Sequence, residues 1–287
     1  MSNIYKDEPV DDEYMDDLTI LPVKIPPVEK KIKHHPTLPD VNKGACIVDI
    51  AKPRSGKTLR LVNYLQNPNF YADKFDAVYI YSSTMSNGDD TARFLYDQYA
   101  DTIYSEYSDS HLQSIIDYQD SIPKSSRPKI ALVFDDFIAF PNVHKNSLMF
   151  KIATSYRHHN IGLLLYNTQM LKYLPPVVRA SANYVILSQN SNMKQVESLS
   201  EEYGGTYGVE KWKQIYSIAT NEPYGFLYMD LYGFTGSNNN PKAYSNFNKL
   251  LYEAPISYSK KNQKMLNRRN NVVVDVVGDD EEAAAAV

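Results

Sequence analysis

Two short runs of residues carry the chemistry this sequence can offer. The first, Ala51-Lys52-Pro53-Arg54-Ser55-Gly56-Lys57-Thr58, fits the phosphate-loop pattern G-x4-G-K-[ST] except that alanine takes the first glycine position. An apolar run precedes it and helical spacing of Leu59, Leu61, Val62 and Leu65 follows, the strand-loop-helix setting the motif needs. In that setting the N–H groups of the loop and first helical turn face a β-phosphate, and the helix dipole favours the negative charge. Lys57 is then placed to bridge the β- and γ-phosphates of a nucleoside triphosphate as a point charge, and the Thr58 hydroxyl to ligate Mg2+. Alanine at position 51 closes the turn provided its φ stays negative, whereas a side chain at Gly56 would crowd the phosphates.

The second run, Ile130-Ala131-Leu132-Val133-Phe134-Asp135-Asp136, reads as a buried strand ending in two carboxylates. Sheets of this class bind ligands at the C-terminal ends of their strands. Asp135 is accordingly expected to hold Mg2+, directly or through water, alongside Thr58, and Asp136 to polarise the attacking water. Downstream, Tyr156-Arg157-His158-His159-Asn160 leads into an apolar strand that ends in Asn167-Thr168-Gln169. Gln169, at the strand tip, is the best placed to sense the γ-phosphate or hold the lytic water; Gln189, one strand farther on, is weaker. Arg157 stands at the opposite end of that strand, and at roughly 3.3 Å per residue it is too far from its own chain's nucleotide. It is therefore read as a finger reaching a neighbouring subunit's nucleotide, which predicts a ring-shaped oligomer.

These residues need a scaffold, and the apolar runs describe one. Short runs at 46–51, 77–81, 130–134, 161–166, 184–187 and 225–229 read as buried strands. Helical spacing fills the gaps at 57–66, 91–99, 111–118, 143–156, 193–203 and 209–218. Such alternation predicts a doubly wound α/β fold, a mostly parallel sheet with helices on both faces. Residues 1–40, acidic and then proline-rich, read as an extended arm outside the core. The nucleotide-binding domain is expected at 41–235, and 236–287 as a polar, flexible segment.

Composition narrows the class. The 287 residues are 43% hydrophobic and 22% charged, an ordinary globular balance. No stretch reaches the roughly 18–20 apolar residues that span a bilayer, and the acidic N-terminus is unlike a signal peptide. Cys46 stands alone, which argues for a reducing compartment and against a cysteine metal cluster. The histidine pairs 34–35 and 158–159 lack partners at metal-site spacing, and no G-x-S-x-G elbow occurs. The net charge of −4 conceals −6 in residues 1–20 and −5 in 272–287, leaving +7 for the body. That surplus suits contact with a phosphate backbone and equally describes a solvated surface.

Taken in order, Asp135-Asp136, Arg157-His158 ahead of a strand, Gln169 at its end and Leu174-Pro175-Pro176-Val177-Val178-Arg179 carry a family likeness. The series resembles the DNA-packaging ATPases of large double-stranded DNA viruses and virophages, the poxvirus-type branch of the FtsK/HerA superfamily. The similarity runs from about Leu38 to Leu187, with Leu38-Pro39 leading into the first strand. It implies a P-loop NTPase of FtsK/HerA type, a homo-oligomeric ring of six or five subunits that uses ATP and Mg2+. It further implies that the ring drives double-stranded DNA, without sequence preference, into a preformed capsid. Partners would be capsid or portal vertex proteins, and the setting host cytoplasm, a viral factory or the virion. Either Arg157 or Arg179 could be the residue acting on a neighbour. Lys172, Arg179, Lys194, Lys211 and Lys213, beyond the motor strands, are the basic candidates for facing DNA. A nucleotide or small-molecule kinase and a non-catalytic ATP-binding scaffold are the alternatives; residues 188–234 show no arginine-rich lid to favour the kinase.

Overall fold

In the computed structural model, residues 32–85, 91–234 and 240–253 are described. Their strands are β1 (Ala45–Ile50), β2 (Ala77–Ser82), β3 (Ile103–Tyr104), β4 (Ile130–Asp135), β5 (Ile161–Thr168), β6 (Tyr184–Ser188), β7 (Phe226–Asp230), β8 (Lys242–Ser245) and β9 (Lys249–Glu253). They form one sheet in the order β3-β2-β4-β5-β1-β6-β7-β8-β9. The strands from β3 through β6 run parallel, and β7, β8 and β9 follow antiparallel. The helices are α1 (Lys57–Gln66), α2 (Arg93–Tyr99), α3 (Asp109–Ser121), α4 (Leu148–Lys151), α5 (Pro176–Ser181), α6 (Met193–Tyr203) and α7 (Val209–Ala219).

The central strands lack the alternation of a half-exposed sheet because both faces are covered. All eight residues of β5 are buried, as are all six of β1 and of β4. On one face Ile47, Leu163, Leu165, Ala131, Val133 and Ile80 pack beneath Leu61, Tyr64 and Leu65 of α1 and Leu95 of α2. On the other, Val48, Leu132, Phe134, Leu164, Tyr166 and Val185 meet apolar residues of α3 to α7, among them Leu112, Phe150, Val178, Leu199 and Trp212. The helical stripes follow the expected period: Leu61, Tyr64 and Leu65 lie at spacings that share one side of α1.

Three expectations need correction. The helical pattern at 143–156 yields only α4 and two short 3-10 turns, Ile152–Thr154 and Tyr156–His159. Upstream of α4, His144 N–H donates to Ser147 Oγ and Asn146 N–H to His144 Nδ1. Such local side-chain bonds compete with helix formation. The sheet also continues past residue 235, because β8 and β9 pair in series onto β7; their short, lysine-bearing sequences give little strand signal. Finally, Ile32 and Leu38, within the 1–40 arm, are buried in the α1-side core. Tyr71 Oη donates to Pro39 O and Asp40 N–H to Tyr184 Oη, tying this stretch down. Residues 1–31 of the arm and the basic-then-acidic stretch 254–287 lie outside the described residues.

At the N-terminal end of the sheet Asn183 joins β1 to β6. Its Oδ1 accepts from Cys46 N–H at 2.7 Å, and its Nδ2 donates to Gly44 O at 2.9 Å and Tyr156 Oη at 3.2 Å. Gly44 has φ 85°, and a Cβ there would stand 2.7 Å from Arg157 Cγ, so only glycine admits this approach. Packing at the sheet centre sets the stability scale. Leu164→Ala, at a fully buried site in β5, is expected to lower unfolding free energy by about 3 kcal/mol in urea titration.

Candidate nucleotide-binding site

The loop 51–56 leaves β1 at its C-terminal end and enters α1. Ala51 N–H donates to Thr168 O of β5 at 3.0 Å, and Ala51 turns with a negative φ. Left-handed backbone falls instead to Arg54 (φ 64°) and Gly56 (φ 85°), the residue that caps α1. No side chain caps that helix, so its leading N–H groups are left for a ligand. Ser55 N–H bonds back to Lys52 O, and Lys52 Nζ reaches Ser191 Oγ at 2.6 Å. Pro53 and Arg54 are exposed at the crest, while Thr58 stands part-exposed beside Lys57 in the first turn of α1.

Beneath the loop, the strand register assembles a polar row. Ser82 of β2 pairs in register with Asp135 of β4, Asp135 with Asn167 of β5, and Asn167 with Asp49 of β1. Aligned residues of adjacent strands share a face, so these four side chains line the floor under α1. Asp135 accepts from Ser82 Oγ and from Asn167 Nδ2, each at 2.9 Å. Among the described residues Asn167 Oδ1 has no hydrogen-bond partner although it is buried. Burial, then the neighbouring Asp136 charge, pushes the Asp135 carboxyl above its ordinary pKa. Asp136, with a left-handed φ of 44°, turns off the strand end and meets Lys57 Nζ at 2.6 Å.

At the other end of the row Arg60 inserts from α1. Its Nε and Nη2 donate to the two oxygens of Asp49 at 2.8 Å, a bidentate pair with both side chains buried. The remaining donors reach Ser55 O of the loop at 3.1 Å and Ser188 Oγ at the end of β6 at 3.1 Å. This one guanidinium thereby connects the loop, α1, β1 and β6.

The structure brings Lys57, Asp135 and Asp136 together, with Thr58 in the same helical turn. Gln169 is the first residue past the tip of β5, in a bend, and is half-buried. Asn167, not Gln169, bonds to Asp135. Gln189 is exposed beyond β6, on the far side of β1 from Asp135. Arg157 lies at the N-terminal end of β5, whose eight residues separate it from the loop by roughly 26 Å. There it borders a 330 Å3 hollow with Tyr156, Asn183 and Tyr232. Arg179 is paired with Glu202 at 2.6 Å, Lys213 with Glu210 at 3.5 Å, and Lys172 lies over the Tyr173 ring. Lys194 and Lys211 are exposed. Sequence reading missed Asp49, Arg60, Ser82 and Asn167. The available signal was a polar residue at the end of each apolar run, and pairing those residues requires the register.

Two measurements test this floor. Arg60→Met leaves the Asp49 carboxylate buried without its partner and is expected to lower stability by about 3 kcal/mol; Asp49→Leu added to it should recover most of that loss in urea titration. For Asp135, the folded chain holds its proton to higher pH than the unfolded chain does. Between the two pKa values the folded state binds more protons, so this group's contribution to stability falls as pH rises. Asp135→Asn should therefore lose less unfolding free energy than the parent between pH 4 and pH 7; an equal loss would refute the assignment.

Neither a protein-family model nor a curated protein matches the sequence. Among solved structures, the genome packaging NTPase B204 from Sulfolobus turreted icosahedral virus 2, in complex with ATP-gammaS, is 16% identical. That match covers 70% of this chain and 97% of the other, with a TM-score of 0.46. B204, the DNA-packaging ATPase from Sulfolobus turreted icosahedral virus, is 18% identical over 69% of this chain and 95% of its own, with a TM-score of 0.48. The N-terminal domain of zonular occludens toxin from Neisseria meningitidis is 15% identical over 53% of this chain and 80% of its own, with a TM-score of 0.31. Likenesses this distant assign no chemistry to individual residues. The phosphate loop between a parallel strand and α1, with β5 set between the loop strand and the Asp-Asp strand, makes this a P-loop NTPase fold.

Proposed function

We propose that the chain is an ATPase of the FtsK/HerA type that drives double-stranded DNA during viral genome packaging. The observation that carries the nucleotide half of this reading is the 2.6 Å contact between Lys57 and Asp136. Two motifs far apart in sequence converge there, at the mouth of the sheet, above a buried carboxylate. A triphosphate seated on the loop offers Lys57 its β- and γ-oxygens in exchange for Asp136. Released from that ion pair, Asp136 can orient an attacking water and accept its proton.

The donor set fits a hard divalent cation. Thr58 and Asp135 supply oxygen, and Asp135 keeps acceptor capacity beyond its two hydrogen bonds, since an ionised carboxylate offers about four lone-pair sites. Asn167 Oδ1, buried and without a hydrogen-bond partner among the described residues, can accept from a water in the same space. Mg2+ held by Thr58 and Asp135 would neutralise charge on the β- and γ-phosphate oxygens. Gln169, at the tip of β5, would sense the γ-phosphate.

The DNA half rests on the order of the motifs and on the basic body between acidic tails. Such a surface grips phosphates without regard to sequence. The distance of Arg157 from its own loop supports a role in a neighbouring subunit, and hence a homo-oligomeric ring. Capsid or portal vertex proteins are the remaining partners this reading requires, in host cytoplasm or a viral factory.

The decisive experiment is the ATPase rate with and without long double-stranded DNA, at two salt concentrations and over a range of protein concentration. Stimulation that weakens with salt and rises cooperatively with protein is expected; turnover indifferent to DNA at every concentration would overturn the motor reading. Lys57→Ala and Asp136→Asn should each abolish turnover while the thermal melt stays sharp. Mixing inactive Arg157→Ala with inactive Asp136→Asn subunits should restore part of the rate, because each mixed interface can supply what the other lacks.

A further inference from the structure

Beside the phosphate loop lies a cavity of about 380 Å3, within the range of small-molecule sites. Gly56 and Leu59 form one edge of it, next to where the phosphates would sit. The opposite wall comes from segments remote in sequence: Tyr224 and Phe226 at the entry to β7, and Phe247 and Asn248 between β8 and β9. Nothing in the phosphate-loop chemistry calls for an apolar hollow at this place.

The wall is preorganised. Phe226 and Phe247 meet edge to face at 4.9 Å, and Phe70 packs on Phe247 at 5.5 Å and 82°. The Arg60 guanidinium lies 4.9 Å from the Phe226 centroid, held there by Asp49. Tyr224 differs from these packed rings, since it is 68% exposed and has a left-handed φ of 61°. A bulky residue in that conformation costs free energy, and such strain gathers at ligand clamps. Its Cδ1 stands 3.6 Å from where a Cβ on Gly56 would be, so the ring overhangs the loop.

We infer that this cavity is the nucleoside subsite of the phosphate loop and takes the flat aromatic base of a nucleoside triphosphate, stacked on Tyr224. The inference rests on the phosphate-loop reading above and names the rest of its ligand. Charge supports a neutral aromatic occupant: the sole permanently charged residue in the described lining, Arg60, is already engaged by Asp49. Aromatic walls bind a base through its faces. The exposed carboxamides of Asn246 and Asn248 at the rim offer both donors and acceptors to its edge. Gly56 belongs both to the lining of the hollow and to the phosphate loop, so one extended ligand can reach from the first to the second.

The test is calorimetric titration of the full chain with ATP and, separately, with inorganic tripolyphosphate, which has the phosphates and no base. In the parent chain ATP should bind about tenfold or more tighter than tripolyphosphate, the scale of one stacked base. Tyr224→Ala should weaken ATP about tenfold and leave tripolyphosphate unchanged, whereas Tyr224→Phe should retain both affinities. Asn248→Trp, at an exposed position, obstructs the cavity by an independent route and should produce the same split. Equal binding of the two ligands by the parent, or equal weakening of both by Tyr224→Ala, would overturn the subsite and leave the phosphate loop standing. Failure of the parent to bind either ligand would overturn the phosphate-loop reading and this inference with it.

Discussion

The register of the parallel strands is the constraint on which the site depends. Because side chains alternate faces with period two, a slip of one residue in any pairing would turn that strand's polar terminus into the opposite core. With the observed pairing, Ser82, Asp135, Asn167 and Asp49 stand side by side across four strands, all beneath α1. The apolar residues below them hold this alignment. β5 is buried along its whole length, so a shift would expose or void both layers at once.

Charge in this floor is tolerated because each group has a partner of fitting geometry. The Arg60 fork spans both oxygens of Asp49, and its other donors bind Ser55 O and Ser188 Oγ. A buried ion pair of this kind adds little net stability relative to apolar packing, while breaking it costs a great deal. Its effect here is positional: the loop backbone is fastened to two strands through one rigid side chain. Lys57 and Asp136 are different, being held by a single contact at the open end of the floor. On the function proposed above, a bound triphosphate would replace that contact, and the site would then have one fixed ion pair and one exchangeable one.

The same topology separates the two ends of β5. Its C-terminal tip lies between the loop strand and the Asp-Asp strand, where Asn167 bonds to Asp135 on the floor. Its N-terminal end carries Arg157, near the Asn183 bonds and the tight turn at Gly44. A straight, buried strand cannot bring both ends to one ligand, so Arg157 lies out of reach of a nucleotide bound at its own chain's loop.

Local patterns determined much of this protein from sequence alone. The phosphate loop, the Asp-Asp strand and the alternation of apolar runs with helical spacing are contiguous, and their periods survive whatever the rest of the chain does. The overestimated helix at 143–156 failed for a local reason as well, since His144 and Ser147 satisfy nearby backbone groups and stop the pattern. Tertiary structure alone decided the rest. Asp49 meets Arg60 within one strand-loop-helix unit, yet the pair completes its bonds at Ser188, 128 residues from Arg60. Asn167 acquires meaning only when β5 inserts between β1 and β4. One wall of the cavity beside Gly56 comes from Tyr224, Phe226, Asn246, Phe247 and Asn248, in or next to antiparallel strands whose short, mixed sequences carry little signal of their own. Such contacts depend on strand order and register, which are set by burying two faces of one sheet at once and are not encoded in any single segment.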